Sequence, residues 1–165
     1  MRRFTLVLVT ACALATPALD AHAQHGRFLD FPLVVVGNAI EITGGGTVNA
    51  QTGTQRTGGQ FRAIQDITAG PLNGLKAGDG VRWEAVEFLP SAPFKCVGSE
   101  GGKTVVGDHD TIVMKVNFFT RGDGNTASFT ANVFVSANDE DADQPGIQNV
   151  WIQGVGCGEA QVDLR

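Results

Sequence analysis

The hydrophobic positions of this chain recur with the two-residue period of β-strands. The clearest case is the segment 111–137, where apolar and polar residues alternate on both sides of a central turn. That turn contains Asp123-Gly124, a favoured pair for a two-residue type I′ hairpin. Placing this pair at the centre of the turn puts all the alternating apolar residues on one face of two paired strands. They are Ile112, Met114, Val116, Phe118, Phe129, Ala131, Val133 and Val135.

Shorter apolar runs separated by Gly, Asn, Asp and Pro predict further strands along the chain. The expected strands lie near 31–36, 39–43, 60–68, 81–88, 94–97, 103–106, 147–153 and 158–164. The glycine- and threonine-rich segment 44–59 is expected to be a long loop or a loose hairpin. No long stretch has a helical period. About nine or ten strands predict an all-β fold, an antiparallel two-sheet β-sandwich with a closed β-barrel as the alternative.

The N-terminal residues 1–23 have the pattern of a secretory signal peptide. Two arginines precede an apolar run that is shorter than the roughly 20 residues of a membrane span, and Ala21-His22-Ala23 is a small-x-small cleavage motif. We therefore expect one all-β domain, 24–165, in the periplasm or outside the cell, with no transmembrane segment. A lipobox-like sequence ending at Cys12 makes a lipoprotein anchored at Cys12 the minor alternative.

Composition supports export and argues against nucleic acid as a partner. The chain has 42% hydrophobic residues, enough for a core, but a net charge of −5 and a pI near 5.0, which disfavour binding to a polyanion. Cleavage of the signal would remove Cys12 and leave Cys96 and Cys157. In an oxidising compartment these two cysteines are predicted to form one structural disulfide.

Two acidic segments, 108–110 and 139–143, are the strongest candidates for a functional site. The hairpin register extends the strands so that residue 108 faces 139 and residue 110 faces 137, which brings the two segments to one end of the fold. The second segment has the Asp-x-Asp-x-Asp spacing of calcium loops, although it departs from an EF-hand at the later positions. The pattern favours a solvated acidic loop, and the alternative is a Ca²⁺ site. Its predicted ligands are Asp108, Asp110, Asp139, Asp141 and Asp143.

Signatures of catalysis are weak. His109 would need a nucleophile, and the register brings Ser136 close to it, but no serine lies in a Gly-x-Ser-x-Gly elbow. We therefore expect a secreted module without enzymatic activity. It would bind an extracellular partner or a polysaccharide, or have a structural role. Two alternatives remain open. One is a carbohydrate-binding or carbohydrate-active sandwich that uses Trp83 and Trp151 as stacking surfaces; the other is a hydrolase centred on His109.

Three short motifs follow one another in the order found in a group of small secreted bacterial β-sandwich modules. They are Ile42–Asn49, Phe129–Val135 with the acidic turn Asp143–Gly146, and Val150–Ile152. Through them, residues 40–165 resemble modules of the post-choice-of-anchor (post-COAP) kind. The resemblance implies an extracellular all-β module without an assigned catalytic activity, and it transfers no functional residues. The chain differs in its two cysteines and in its dense acidic run.

Overall fold

The computed structural model describes residues 26–49, 54–122 and 124–165. The predicted signal peptide, the Cys12 alternative and Asp123 of the hairpin turn lie outside these residues. The described residues form β-strands and no helix, so the all-β prediction is confirmed. In this part of the chain there is accordingly no apolar helix of membrane-spanning length. The strands are β1 Arg27–Val36, β2 Ile40–Asn49, β3 Thr54–Ala63, β4 Arg82–Phe88, β5 Ser91–Phe94, β6 Lys103–Val106, β7 Thr111–Phe119, β8 Phe129–Ser136, β9 Val150–Ile152, β10 Gly156–Gly158 and β11 Asp163–Leu164.

One large antiparallel sheet dominates the fold. Its strand order is β10-β9-β8-β7-β4-β3-β2-β1-β11, and β5 pairs with β6 in a small second sheet. The large sheet is strongly curled, because both of its ends reach β1. Leu164 of β11 lies opposite Leu29, and the N–H of Gly37, just after β1, donates to the carbonyl of Cys157 in β10 at 2.8 Å. The described residues therefore form a curled sheet with a small partner, not two sheets of similar size.

The predicted register of the β7–β8 hairpin is confirmed. Ile112 lies opposite Val135 and Phe118 opposite Phe129, as the Asp-Gly turn required. The side chains on the predicted face pack in or against the main core. Val113 and Phe134 on the opposite face are buried too, because the small sheet covers them. The pattern of the hairpin thus predicted its pairing but not the burial of its second face.

The glycine-rich segment lies in two paired strands, so of the two expectations the loop was wrong and the paired strands of a hairpin are present. β2 and β3 pair without interruption from Ile40 opposite Ala63 to Asn49 opposite Thr54. Gly44 is required because a Cβ at this position would collide with the buried ring of Trp83. Gly46 has a φ of +142°, which favours glycine. The glycines allow β2 and β3 to bend within the curl and leave room for the tryptophan.

Two apolar clusters hold the sheets together. The larger lies inside the curl and includes Phe31 and Trp83, whose rings stack with their centroids 6.1 Å apart. The smaller lies between the outer face of β7–β9 and the β5–β6 pair. It contains Phe94, Phe134 and Trp151, with Phe94 and Phe134 in an edge-to-face contact at 5.0 Å. Because β7 and β8 pack against both clusters, most of their side chains are buried.

Candidate functional site

The base of the β7–β8 hairpin brings the two acidic segments into one region, as predicted. The N–H of Ala137 donates to the carbonyl of Asp110 at 2.8 Å, so the hairpin pairing continues into the turn before β7. Within that turn, Asp108 Oδ1 accepts the N–H of Asp110 at 2.8 Å, and Asp110 Oδ1 lies 2.9 Å from His109 Nδ1. These two carboxylates are therefore held by their own turn.

The carboxylates of the second acidic segment point in different directions. Asp139 Oδ1 accepts the N–H groups of Asp141 and Gln148, at 3.1 and 3.0 Å, and so closes its own loop. Glu140 turns towards β7, where its Oε1 accepts the hydroxyl of Thr111 at 3.0 Å. This arrangement places Asp139 and Glu140 in separate local networks.

Asp141 is fully buried and paired with a lysine. Its Oδ1 lies 2.5 Å from Nζ of Lys103 in β6, and its other oxygen accepts a hydrogen bond from the Ser99 hydroxyl. Nζ of Lys103 also lies 2.7 Å from Asp143 Oδ2. Lys103 therefore joins the acidic loop to the small sheet.

Hydrogen bonding decides the ionisation of this buried group. Burial raises the pKa of Asp141, but the hydrogen bonds from Lys103 and Ser99 outweigh it, and the pKa lies below its ordinary value. The hydrogen bonds to Asp141 and Asp143 raise the pKa of Lys103 above its ordinary value. Both partners are consequently charged at neutral pH.

The predicted calcium ligands do not share one centre. Across the described ranges there is no group of three or more His, Cys, Asp or Glu side chains placed to hold a metal ion. Asp141 and Asp143 are instead neutralised by the ammonium group of Lys103, which takes the place expected for Ca²⁺. Calcium binding stays a prediction, and the geometry supplies no ligand group for it.

His109 and Ser136 are not arranged as a base and its nucleophile. Ser136 is fully buried, donates to Glu140 Oε1 at 2.6 Å and shares a 2.9 Å hydrogen bond with the Thr111 hydroxyl. The side chain of His109 is 83% exposed and contacts Asp110. The Ser136 network therefore fixes the base of the hairpin, and the hydrolase hypothesis loses its geometric basis.

Both tryptophans are buried, which removes the basis for the predicted stacking surfaces. Trp83 is 1% exposed, and its Nε1 donates to the carbonyl of Thr43 at 2.9 Å. Trp151 is 4% exposed and stacks on Phe134 at 5.9 Å. Trp151 lines an open depression beside the disulfide, but at 4% exposure it offers almost no surface for stacking. The carbohydrate hypothesis therefore has no exposed tryptophan to support it.

The predicted disulfide is present. Cys96 follows β5 and Cys157 lies in β10, with their Cα atoms 5.1 Å apart. Cys96 belongs to the smaller apolar cluster and Cys157 packs against it. The bond therefore fastens the small sheet over the outer face of β7–β9. An open depression of about 500 Å³ lies beside it, with Lys95 as its charged lining side chain.

A deeper cleft of about 460 Å³ lies beside the turn that contains His109. It opens where β1 starts, β2 ends, the chain crosses from β4 to β5, and β7 starts. Its apolar lining includes Val48, Phe88, Ile112 and Val113, and its charged side chains are Arg27 and Asp108. Val48 and Ile112 belong to the main core, while Val113 belongs to the smaller cluster. The cleft thus gives access to the apolar interior from the acidic end of the sheet.

Arg27 connects the two sides of this cleft. Its guanidinium donates to the carbonyl of His109, which ties the start of β1 to the turn before β7. Within the described part of the chain, Arg27 forms no ion pair with a carboxylate. Sequence reasoning missed Arg27 and the apolar lining, since no local motif links positions 27, 48, 88 and 112.

Comparisons of the chain with protein-family models, with curated proteins and with solved structures find no match. The resemblance to post-choice-of-anchor modules therefore stays a prediction.

Proposed function

We propose that this chain is an exported, disulfide-bonded, non-catalytic module that binds a small ligand or an apolar group of a partner in the cleft beside His109. The observation that carries the proposal is the cleft itself. It combines an apolar floor with a small number of polar groups at its rim, which is the usual construction of a ligand site. Its volume of about 460 Å³ lies in the range of small-molecule sites.

The surroundings of the cleft favour binding over catalysis. The hydroxyl of Ser136 is committed to Glu140 and Thr111, and His109 contacts Asp110 in an exposed turn. A hydrolase of this kind would need a nucleophile within hydrogen-bond reach of its base. This arrangement supports a role that depends on shape and charge alone.

We also propose that the module is a β-sandwich in which the β5–β6 pair is the second layer. Ala92 and Phe94 of β5 and Val105 of β6 pack in the same cluster as Phe134 and Trp151 of the large sheet. Packing one sheet against the face of another is the defining contact of a sandwich. The second layer would then cover β7–β9 and leave the outer face of β1–β3 open.

Export is expected to produce a shortened and oxidised chain. The disulfide supports a compartment outside the cytoplasm, where such bonds persist. In a bacterial host, the protein should accumulate in the periplasm or the medium with the mass of residues 24–165 and no free thiol, as measured by intact mass spectrometry. An uncleaved, reduced chain in the cytoplasm would contradict export. A lipidated chain beginning at Cys12 would establish the lipoprotein alternative instead.

Blocking the cleft should abolish binding without unfolding the protein. Pro90 is exposed and lines the cleft, so Pro90→Trp is expected to fill it. A two-dimensional NMR screen should find fragments that shift the amide resonances around the cleft of the wild type. The same fragments should not shift these resonances in Pro90→Trp. Pro145→Trp is the matched control, because Pro145 is exposed outside the cleft. A screen without hits at the cleft, or with equal hits in Pro90→Trp, would remove the proposed site.

A further inference from the structure

We infer that the cleft takes a carboxylate with an aliphatic or aromatic body, and that Arg27 pairs with the carboxylate group. This inference rests on the proposed function, because it names the ligand class for the same cleft. Three features of the site support it: the apolar floor, the hydrogen bonding of Arg27 and the charges at the rim.

The apolar floor of the cleft favours a ligand with an apolar body. Val48, Ile112 and Val113 line the cleft but are almost fully buried. The apolar surface that a ligand can cover belongs to the half-buried Phe88 and Leu89 and the exposed Pro90. These side chains offer dispersion contacts but no hydrogen bonds, so they favour a hydrocarbon or a ring over a sugar. A ligand would replace water on this apolar surface and gain the free energy of burial.

Arg27 sets the charge of the ligand. A guanidinium has several N–H donors in a planar fork that matches a carboxylate. One nitrogen of Arg27 donates to the carbonyl of His109, which holds the group at the rim. With no ion pair to a described carboxylate, the fork keeps donors for an incoming anion. A fixed arginine loses less conformational entropy on pairing than a free lysine would.

The acidic turn limits how much negative charge the site accepts. Asp108 lines the cleft, and Asp110 follows two residues later in the same turn. Asp108 accepts the N–H of Asp110 and forms no ion pair with a described lysine or arginine. It lines the same cleft as Arg27, so an anion bound there would meet both charges. A single negative charge can pair with Arg27 and stay clear of the aspartates, while a doubly charged phosphate would be repelled more strongly. A monoanionic carboxylate therefore fits best.

Matched amphiphiles test this inference. Octanoate, octanol, octylammonium and octyl phosphate share one tail and differ in their head group. Isothermal titration with the complete mature protein should give octanoate the highest affinity of the four. Arg27→Gln should lower the affinity for octanoate by about tenfold or more. Arg27→Lys should lower it less, because the positive charge is kept.

Arg62→Gln is the control, because it makes the same charge change at an exposed arginine that pairs with Glu41 away from the cleft. It should leave octanoate binding unchanged, and thermal melts should show that each variant is folded. Equal affinity of Arg27→Gln and wild type for octanoate, or tighter binding of octylammonium or octyl phosphate, would overturn the carboxylate assignment. Octanol binding as tight as octanoate binding would also overturn the carboxylate assignment. If Pro90→Trp then abolishes octanol binding, the cleft is still a binding site and the proposed function stands. Absence of binding by all four overturns the ligand class, and the fragment screen then decides the proposed function separately.

Discussion

Replacing Lys103 by methionine is expected to destabilise the protein by about 1–3 kcal/mol, the usual cost of leaving a buried polar group without a partner. The substitution keeps much of the side chain's volume but removes the cation from the fully buried carboxylate of Asp141. Leaving a buried charge without its partner costs far more than the pair itself contributes. Urea denaturation followed by circular dichroism measures the free energy of unfolding.

The exposed pair between Lys115 and Glu87 is the matched control. Its nitrogen–oxygen distance is also 2.5 Å, but about half of each side chain is exposed. Lys115→Met should therefore change stability by about 0–1 kcal/mol. If both lysine variants lose the same free energy, Asp141 is not the buried, lysine-dependent group that the structure describes. Asp141→Asn combined with Lys103→Met should recover part of the loss, since the uncompensated charge is gone.

The same pair gives the protein a defined pH dependence. Because the pKa of Asp141 is lowered in the folded state, its contribution is present above the unfolded pKa of about 4 and is lost as pH falls through the folded value. The pKa of Lys103 is raised, so its contribution is present below about pH 10 and is lost as pH rises through the folded value. The contribution of the pair should therefore be constant across neutral pH and fall at both extremes.

Removing the disulfide by Cys96→Ala/Cys157→Ala is expected to cost about 4 kcal/mol. The bond joins residues 61 positions apart, and in the chain-entropy model such a crosslink restricts the unfolded chain strongly. It also holds the β5–β6 pair over Phe134 and Trp151, so hydrogen exchange should accelerate most in the small sheet.

Reductant provides the internal control for this prediction. The wild type unfolded in urea with reductant should approach the stability of the double variant, and the double variant should not respond to reductant. An unchanged midpoint for the wild type under reducing conditions would mean that the crosslink does not contribute to stability. A lower midpoint with unchanged exchange in the small sheet would locate the effect in the unfolded chain alone.

Features that depend on short-range rules could be predicted from the amino-acid sequence. The period of two and the Asp-Gly turn predicted the β7–β8 register residue by residue, because pairing across a hairpin follows from turn chemistry and from which face is apolar. The disulfide followed from the two cysteines that lie outside the predicted signal peptide. The alternation of apolar and polar residues was also enough to predict an all-β fold. It did not predict how the strands are divided between the two sheets.

Contacts between distant residues could be known only once the sheets were packed together. Lys103 pairs with Asp141, Arg27 reaches the carbonyl of His109, and Gly44 makes room for Trp83. Each contact joins strands or loops far apart in the chain, and a local pattern says only that a face is apolar or charged, not what covers it. The calcium and stacking predictions also came from local patterns, which do not say what a side chain meets: Asp141 and Asp143 contact Lys103, and both tryptophans lie in the apolar clusters.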